Sequence, residues 1–515
     1  MVLAFMLQWS ICSTATCQGF SHRYDPLVSD GQFGWCIEQI GSGQYVVIGN
    51  MPWVDSLYYP SSVVSLLLDS NGEMNAEHRF DIPLKASYPG WSNSGVLLAD
   101  GRLALCGGTQ DTSGSNRAAI FWLEGDSEPI GYVEIQPTPN GWIGYQLKST
   151  PDGGFILTGV TTATGVQDIF LLKTDSLGNV EWWQTYGHPT RLDYSATVDL
   201  APNGGYYIGG LYPQTASGFV QWVLRTDSVG GLLWEVFRGI PVDETPNAAV
   251  LSTTDGNLVY ASGKHSGGPD EEHWPQLVKL DTAGNEIWDK TYGEAVFGTG
   301  FFSVAEVSSS GDLIACGQKW YQTDGGFPYR KGILVRANSE GDSLWMREYF
   351  YYDSVLVDCQ GVFRDVQPTP DGGFVVVGET RGNINGNNPP GLSVDVWVVK
   401  VDSLGCIEPG CNIPLGITTQ ITNMGYALTL HPVPLSPSKG EQLHVGIHLP
   451  ANFKTEGPLA LTVVSMEGKW VRQGAVPTSA PNEVVLDVTG LAPGAYTVHL
   501  SDAHTWIAGK KFVVE

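Results

Sequence analysis

The sequence predicts an all-β protein: a seven-bladed β-propeller followed by a small C-terminal Ig-like β-sandwich. Three observations predict it. A segment built on two tight turns recurs seven times at intervals of about 50–60 residues, close to the spacing of propeller blades. Helix-period patterns are missing from the 515 residues, whereas short apolar or alternating runs bounded by Gly, Asp and Asn recur throughout. Beyond about residue 425 the repeat stops and another pattern of short strands begins.

The clearest copy runs from Tyr145 to Gly187, YQLKSTPDGGFILTGVTTATGVQDIFLLKTDSLGNVEWWQTYG. It reads as four strands, with tight turns at PDGG and DSLG and a looser loop between the second and third strands. Aspartate and glycine supply the local hydrogen bonds and positive φ that such turns need. The first turn recurs at Gly43, Gly101, Gly153, Gly204, Gly256, Gly311 and Gly372. The second starts at Asp69, Glu124, Asp175, Asp227, Asp281, Asn338 and Asp402. Trp182, Trp183, Trp234, Trp288 and Trp345 follow it, where they would wedge between neighbouring sheets. The last copy runs into CIEPGC instead of a fourth strand. FSHRYD, Phe20 to Asp25, is expected to complete that blade and leave the ring without an open edge.

The expected organisation is 1–17 signal peptide, 18–411 propeller, 412–425 linker and 426–515 C-terminal sandwich. MVLAFMLQWSICSTATC is too short to span a bilayer and reads as a secretory leader without its basic start. A lipidated Cys17 and a buried N-terminal strand are the alternatives. Hydrophobic residues make up 42% and charged residues 16% of the chain, which suits a packed globular protein. The net charge of −26 repels phosphate backbones and argues against nucleic-acid binding. No transmembrane segment is expected. Cys406 and Cys411 flank Ile-Glu-Pro-Gly and are expected to pair in an oxidising compartment. Cys106 and Cys316 occupy the same place in different copies and read as buried apolar residues.

The C-terminal strands carry a resemblance. His431-Pro432-Val433-Pro434 opens the segment, followed by LHVGIHL, SMEGKWV with Gly468, LDVTGLAPGAYTVHL with Leu491, Gly494 and Tyr496, and KKFVVE with Lys510 and Lys511. In order and spacing these resemble the C-terminal sorting domain of type IX secretion cargo of Bacteroidota. Valine at 433 departs from the Tyr-Pro-Asn-Pro-like opening motif. The resemblance implies export, the type IX machinery and a sortase-like peptidase as partners, and a secreted or surface-held product.

Binding is expected on the loop side, opposite the uniform turns, where loops on a rigid scaffold vary most. The aromatic candidates are Trp53, Tyr58, Tyr59, Trp91, Trp274, Trp320, Tyr321, Tyr329, Tyr351 and Tyr352. Flat rings beside polar groups suit sugar faces and extended peptides; the plainer reading is loop-on-loop packing. Asp193, Asp353 and Asp395 are loop-side acids, as are many solvated ones. His265, Asp270, Glu271, Glu272 and His273 have ligand chemistry, but their spacing matches no established site. His444 and His448, four apart on a strand, lie about 13 Å apart and cannot share an ion. The Asp-rich turns lack the carboxylate pattern of a calcium loop. G-x-S-x-G, H-E-x-x-H and P-loop motifs are absent. No catalytic residue, metal or cofactor is therefore assigned. The expected function is a non-enzymatic binding module for glycan, peptide or matrix polymer. A secreted carbohydrate-active enzyme or a purely structural surface protein is the alternative.

Overall fold

The structure is a computed structural model. It describes residues 19–24, 32–41, 43–51, 61–215, 218–242, 248–267, 272–321, 329–351, 357–383, 394–408, 420–423, 427–436, 440–449, 453, 455, 457–465, 469–477, 483–502 and 505–515. No α-helix occurs among the described residues. Four-stranded antiparallel sheets recur along the chain, most with consecutive strands as neighbours.

The copy quoted above shows why the sequence folds this way. Its strands are Trp142–Ser149, Phe155–Thr161, Asp168–Thr174 and Val180–Tyr186. The second and third are buried along their whole length, because neighbouring sheets cover both of their faces. In the second turn Asp175 Oδ1 accepts the backbone N–H groups of Leu177 (2.9 Å) and Asn179 (2.8 Å). Asp69, Asp227, Asp281 and Asp402 do the same in their copies. The first turn is clamped from the third strand. Lys173 reaches Asp152 at 2.9 Å, Lys279 reaches Asp255 at 2.6 Å and Lys400 reaches Asp371 at 3.0 Å. The repeated aspartates are therefore turn chemistry.

One device recurs between neighbouring sheets. Trp234, Trp288 and Trp345 lay their rings over the second-turn glycine of the following sheet. A Cβ on Gly284, Gly341 or Gly405 would lie 3.0–3.1 Å from the ring. These glycines also hold φ of 77–84°, so they are needed for backbone shape and for space. A tyrosine also donates to the carbonyl of a second-turn glycine in three copies: Tyr186 to Gly230 (2.5 Å), Tyr292 to Gly341 (2.8 Å) and Tyr349 to Gly405 (2.8 Å).

The first strand repeats that device across the ends of the array. Phe20–Tyr24 pairs with Val394–Val401, as the sequence predicts, and so completes the last sheet. Its Phe20 ring covers Gly72 and its Tyr24 hydroxyl donates to the Gly72 carbonyl at 2.6 Å. Contacts between inner strands run from Phe33–Ile40 to Gly95–Leu97, then to Trp142–Ser149, Tyr194–Leu200, Ala249–Ser252, Gly300–Val307 and Val357–Pro368, and back to Phe33–Ile40. The arrangement is β-propeller-like. Side chains stitch the inner strands together. Gln146 accepts from Val198 N (2.6 Å), Thr197 donates to Ala248 O (2.7 Å), Asp199 accepts from Ser252 N (2.7 Å), and Asp365 accepts from Ile37 N (3.1 Å).

Two sheets share the C-terminal core. One holds Leu428–His431, Leu443–Ile447 and Glu483–Leu486; the other holds Ala460–Ser465, Trp470–Ala475, Gly494–Ser501 and Thr505–Val514. Leu443, Val445 and Leu486 meet Leu461, Val463, Val498 and Phe512 between them. Gln420–Asn423, inside the expected linker, pairs in parallel with Ser343–Tyr351 on one side and Thr505–Val514 on the other. Trp506 packs with Cys406 and Ile407 at this junction. Cys406 is disulfide-bonded; Cys411 lies outside the described residues. Cys106 and Cys316 are free and fully buried, as expected.

Candidate functional site

The inner strands share an irregularity that the sequence reading missed. Register shifts fall at Gly34/Cys36, Gly144/Gln146, Tyr194/Ala196, Phe301/Ser303 and Phe363/Asp365. Each is a β-bulge, which places one extra residue on the inner strand and re-aims its side chain. The extra residues include Trp35, Tyr145, Phe302 and Arg364. In the second copy the inner strand breaks into Lys85–Pro89 and Gly95–Leu97, and Trp91 sits in the gap. Trp35, Tyr145, Phe302 and Arg364 each lie four or more positions before the strand end that leads into the first turn.

The bulged side chains touch one another from sheet to sheet. The Arg364 guanidinium lies 4.9 Å from the Phe302 ring centre and 5.0 Å from that of Trp35. Trp35 stacks on Trp91 with centroids 6.4 Å apart, and Trp91 stacks on Tyr145 at 4.5 Å and 13°. Phe33 also stacks on Trp35, with centroids 5.8 Å apart. Trp91 is 40% exposed; Trp35, Phe302 and Arg364 are half-buried. Arg364 is fixed by Glu379 through two hydrogen bonds of 3.0 and 2.8 Å, and Trp35 Nε1 donates to Asn50 Oδ1 at 2.7 Å. The result is a partial collar of flat rings with one guanidinium, held by second contacts.

Ionisable groups lie next along the same strands. Asp365 is fully buried and pushed up to about 6 by burial, although Ile37 N and the Ser303 hydroxyl hydrogen-bond it. Glu38 is pushed up to about 8, first by burial and then by the charge of Asp365; Lys148 opposes both shifts. Burial also raises Asp199. Lys148 is thus the cation beside three carboxyl groups, of which Asp365 is buried and Glu38 and Asp199 are half-buried.

A second carboxyl pair sits on the loop side of the third copy. Asp168 and Asp193 are both buried, and a Cβ on Gly187 would fall 2.1 Å from one and 2.7 Å from the other. Asp168 is held by Thr164 (2.5 Å), and Asp193 Oδ2 accepts from His188 N (2.8 Å) while its Oδ1 has no hydrogen-bond partner among the described residues. Burial and then the Asp168 charge push Asp193 up to about 7. Asp395 is instead neutralised by Arg23 of the closing strand.

Among the aromatic residues named from the sequence, the structure brings only Trp91 into the collar. Trp53, Tyr58, Tyr59 and Tyr352 lie outside the described residues, as do Asp353 and the acidic loop at 270–271. Trp320 packs under Arg330 (4.3 Å) and against Phe297 (5.7 Å), and Tyr321 packs under Lys331 (4.3 Å). Tyr351 lies 6.4 Å from Trp397. Trp274 and Tyr329 sit within strands, away from any bulge. The collar residues were legible in principle. Trp35, Tyr145 and Arg364 each stand ten positions before an aromatic residue at the start of the second strand, Tyr45, Phe155 or Phe374.

In the C-terminal unit His431 is exposed and Pro432 and Pro434 follow it on the surface. Leu491 packs on the core, Gly494 has φ 155° and Tyr496 is buried, donating to Ala492 O at 2.8 Å. Lys510 is exposed, Lys511 lies 3.8 Å from Glu408, and Gly468 is outside the described residues.

Residues 437–515 match the secretion system C-terminal sorting domain family. The chain therefore carries a type IX sorting signal, which implies interaction with that secretion machinery and a secreted or cell-surface location. No curated protein matches the chain in sequence. Among solved structures, a protein of unknown function from Dyadobacter fermentans is similar at 12% identity and TM-score 0.39, over 75% of this chain and 98% of that one. A puromycin hydrolase is similar at 14% identity and TM-score 0.41, over 82% of this chain and 60% of that one. An ulvan lyase, a polysaccharide lyase, is similar at 11% and 0.42, over 73% and 92%. Likeness this distant carries no inference about chemistry. No helix among the described residues is long and apolar enough to cross a membrane.

Proposed function

We propose that this exported protein is a binding module, a seven-bladed β-propeller whose bulge-lined mouth takes a carbohydrate polymer without turnover. The collar carries the reading. Phe302, Arg364, Trp35, Trp91 and Tyr145 line up across sheets that are distant in sequence. Flat rings give sugar faces large apolar contact, and the guanidinium and nearby carboxyl groups supply directional hydrogen bonds. In this reading the C-terminal Ig-like sandwich is the export address of a Bacteroidota cargo, with His431 to Pro434, Gly468, Leu491, Gly494, Tyr496, Lys510 and Lys511 as its motif. A sortase-like peptidase would act on it.

The test is a polysaccharide binding screen on the full chain, with released sugars assayed in the same wells. Binding without release, lost in Trp35→Ala, is the expected result. Binding to extended peptides alone would overturn the carbohydrate assignment. A second reading, a carbohydrate-active enzyme, is favoured by one observation, the enclosed Asp168–Asp193 pair with a raised Asp193. A proton held near neutral pH is what a general acid needs. Sugar release abolished by Asp193→Asn in a folded protein would establish that reading instead.

A further inference from the structure

We infer that the outward face of the C-terminal sandwich holds a divalent transition-metal site made by His431, His444 and Glu483, apart from the collar and independent of its ligand. The three residues come from three adjacent strands. His431 pairs directly with His444 across Leu428–His431 and Leu443–Ile447. Glu483 sits on the third strand, opposite Gly446, on the same face. A direct cross-strand pair brings two side chains side by side. Here the imidazoles lie nearly parallel, 13° apart, with centroids 5.0 Å apart. One Glu483 oxygen faces both rings, 2.6 Å from His444 Nδ1 and 3.6 Å from His431 Nε2. All three donor atoms lie within 4.8 Å of one another.

The donor set fits the chemistry. Two imidazole nitrogens and one carboxylate oxygen suit Zn²⁺ and its borderline neighbours, which bind N and O donors at about 2.0–2.2 Å. Around a tetrahedral ion, bonds of that length put donors about 3.3 Å apart. The Glu483–His431 separation is already near that value. The Glu483–His444 gap must widen and the two imidazoles must draw together. The side chains are 62%, 38% and 45% exposed, so they can turn without disturbing the core. Such a site leaves at least one position open to water or an added ligand. His448, one residue past the end of the strand that carries His444, bonds Thr429 at 3.1 Å and is not one of the three donors that lie together. His431 is also the residue that opens the His431-Pro432-Val433-Pro434 motif, so an ion bound here would sit on that motif.

The test uses the full chain, titrated with Zn²⁺ by calorimetry and with Co²⁺ by visible absorption. One ion per chain is expected, with a Co²⁺ spectrum that reports nitrogen ligation. His444→Ala and Glu483→Gln should each weaken binding by about 10–100-fold or more. His448→Ala should leave it unchanged. Unfolding curves of all variants should overlay without metal, because the side chains are exposed. Binding that survives His444→Ala, or that is lost in His448→Ala, would overturn the site. So would the absence of any Co²⁺ spectrum.

Discussion

The two ends of the propeller-like ring are built from the same strands and spend them differently. At the turn end most copies repeat one solution: an aspartate capping the second turn, in several a glycine under a neighbouring aromatic ring, and in several a tyrosine hydroxyl on that glycine's carbonyl. At the bulge end four copies place a different residue at one backbone irregularity: Trp35, Tyr145, Phe302, Arg364. Uniformity at one end locks the sheets together, and diversity at the other makes a surface. Substitutions at the turn end should therefore change stability and spare binding, while those in the collar should do the reverse.

The largest expected effect tests closure. Deleting residues 20–24 removes both the edge pairing to Val394–Val401 and the Phe20–Gly72 contact. Thermal unfolding should move down by more than for any point substitution; an unchanged midpoint would mean the ring does not depend on that strand. Next comes Gly405→Ala, which forces a Cβ against Trp345 at positive φ. It should cost about 2–3 kcal/mol in chemical denaturation without changing ligand affinity. In the collar, Trp35→Ala should cost about 2 kcal/mol of binding, roughly thirtyfold. Equal losses of stability and binding in either variant would erase the distinction between the ends.

A smaller effect follows from the carboxyl groups beside Lys148. Glu38 and Asp365 have pKa values raised to about 8 and about 6, so the folded chain holds protons that the unfolded chain releases. Stability should be greatest near the ordinary carboxylate range and should fall as pH rises toward 8. Glu38→Gln should flatten the upper part of that profile; a profile that still falls as steeply would place the dependence elsewhere. The smallest expected effect is Tyr349→Phe, which removes one hydrogen bond to Gly405 O. About 1 kcal/mol is expected, with binding untouched.

Much of this was legible because it is local. Turn chemistry is set within four residues, so DSLG and PDGG marked the turns directly, and their recurrence marked the sheets. The orphan segment at Phe20 was legible because the last copy lacks a partner strand. The sorting signal was legible because its motifs keep their order along the chain. The contacts within the collar were not legible, because a bulge is a property of two strands in register. The sequence offers Trp35 and Tyr145 as ordinary strand residues, whereas the exposed-looking Trp320 and Tyr321 prove to be covered by cations of the paired strand.

The sequence by itself determined the repeating sheets, the acidic surface and the export route. Each rests on composition or on contacts between near neighbours in the chain. Only the tertiary structure decided which residues meet. Arg364 reaches Trp35 because the first and last sheets lie side by side in the ring. His431 meets His444 and Glu483 because three strands pair in one register. Such neighbours are chosen by sheet pairing and ring closure, and no spacing along the chain encodes them.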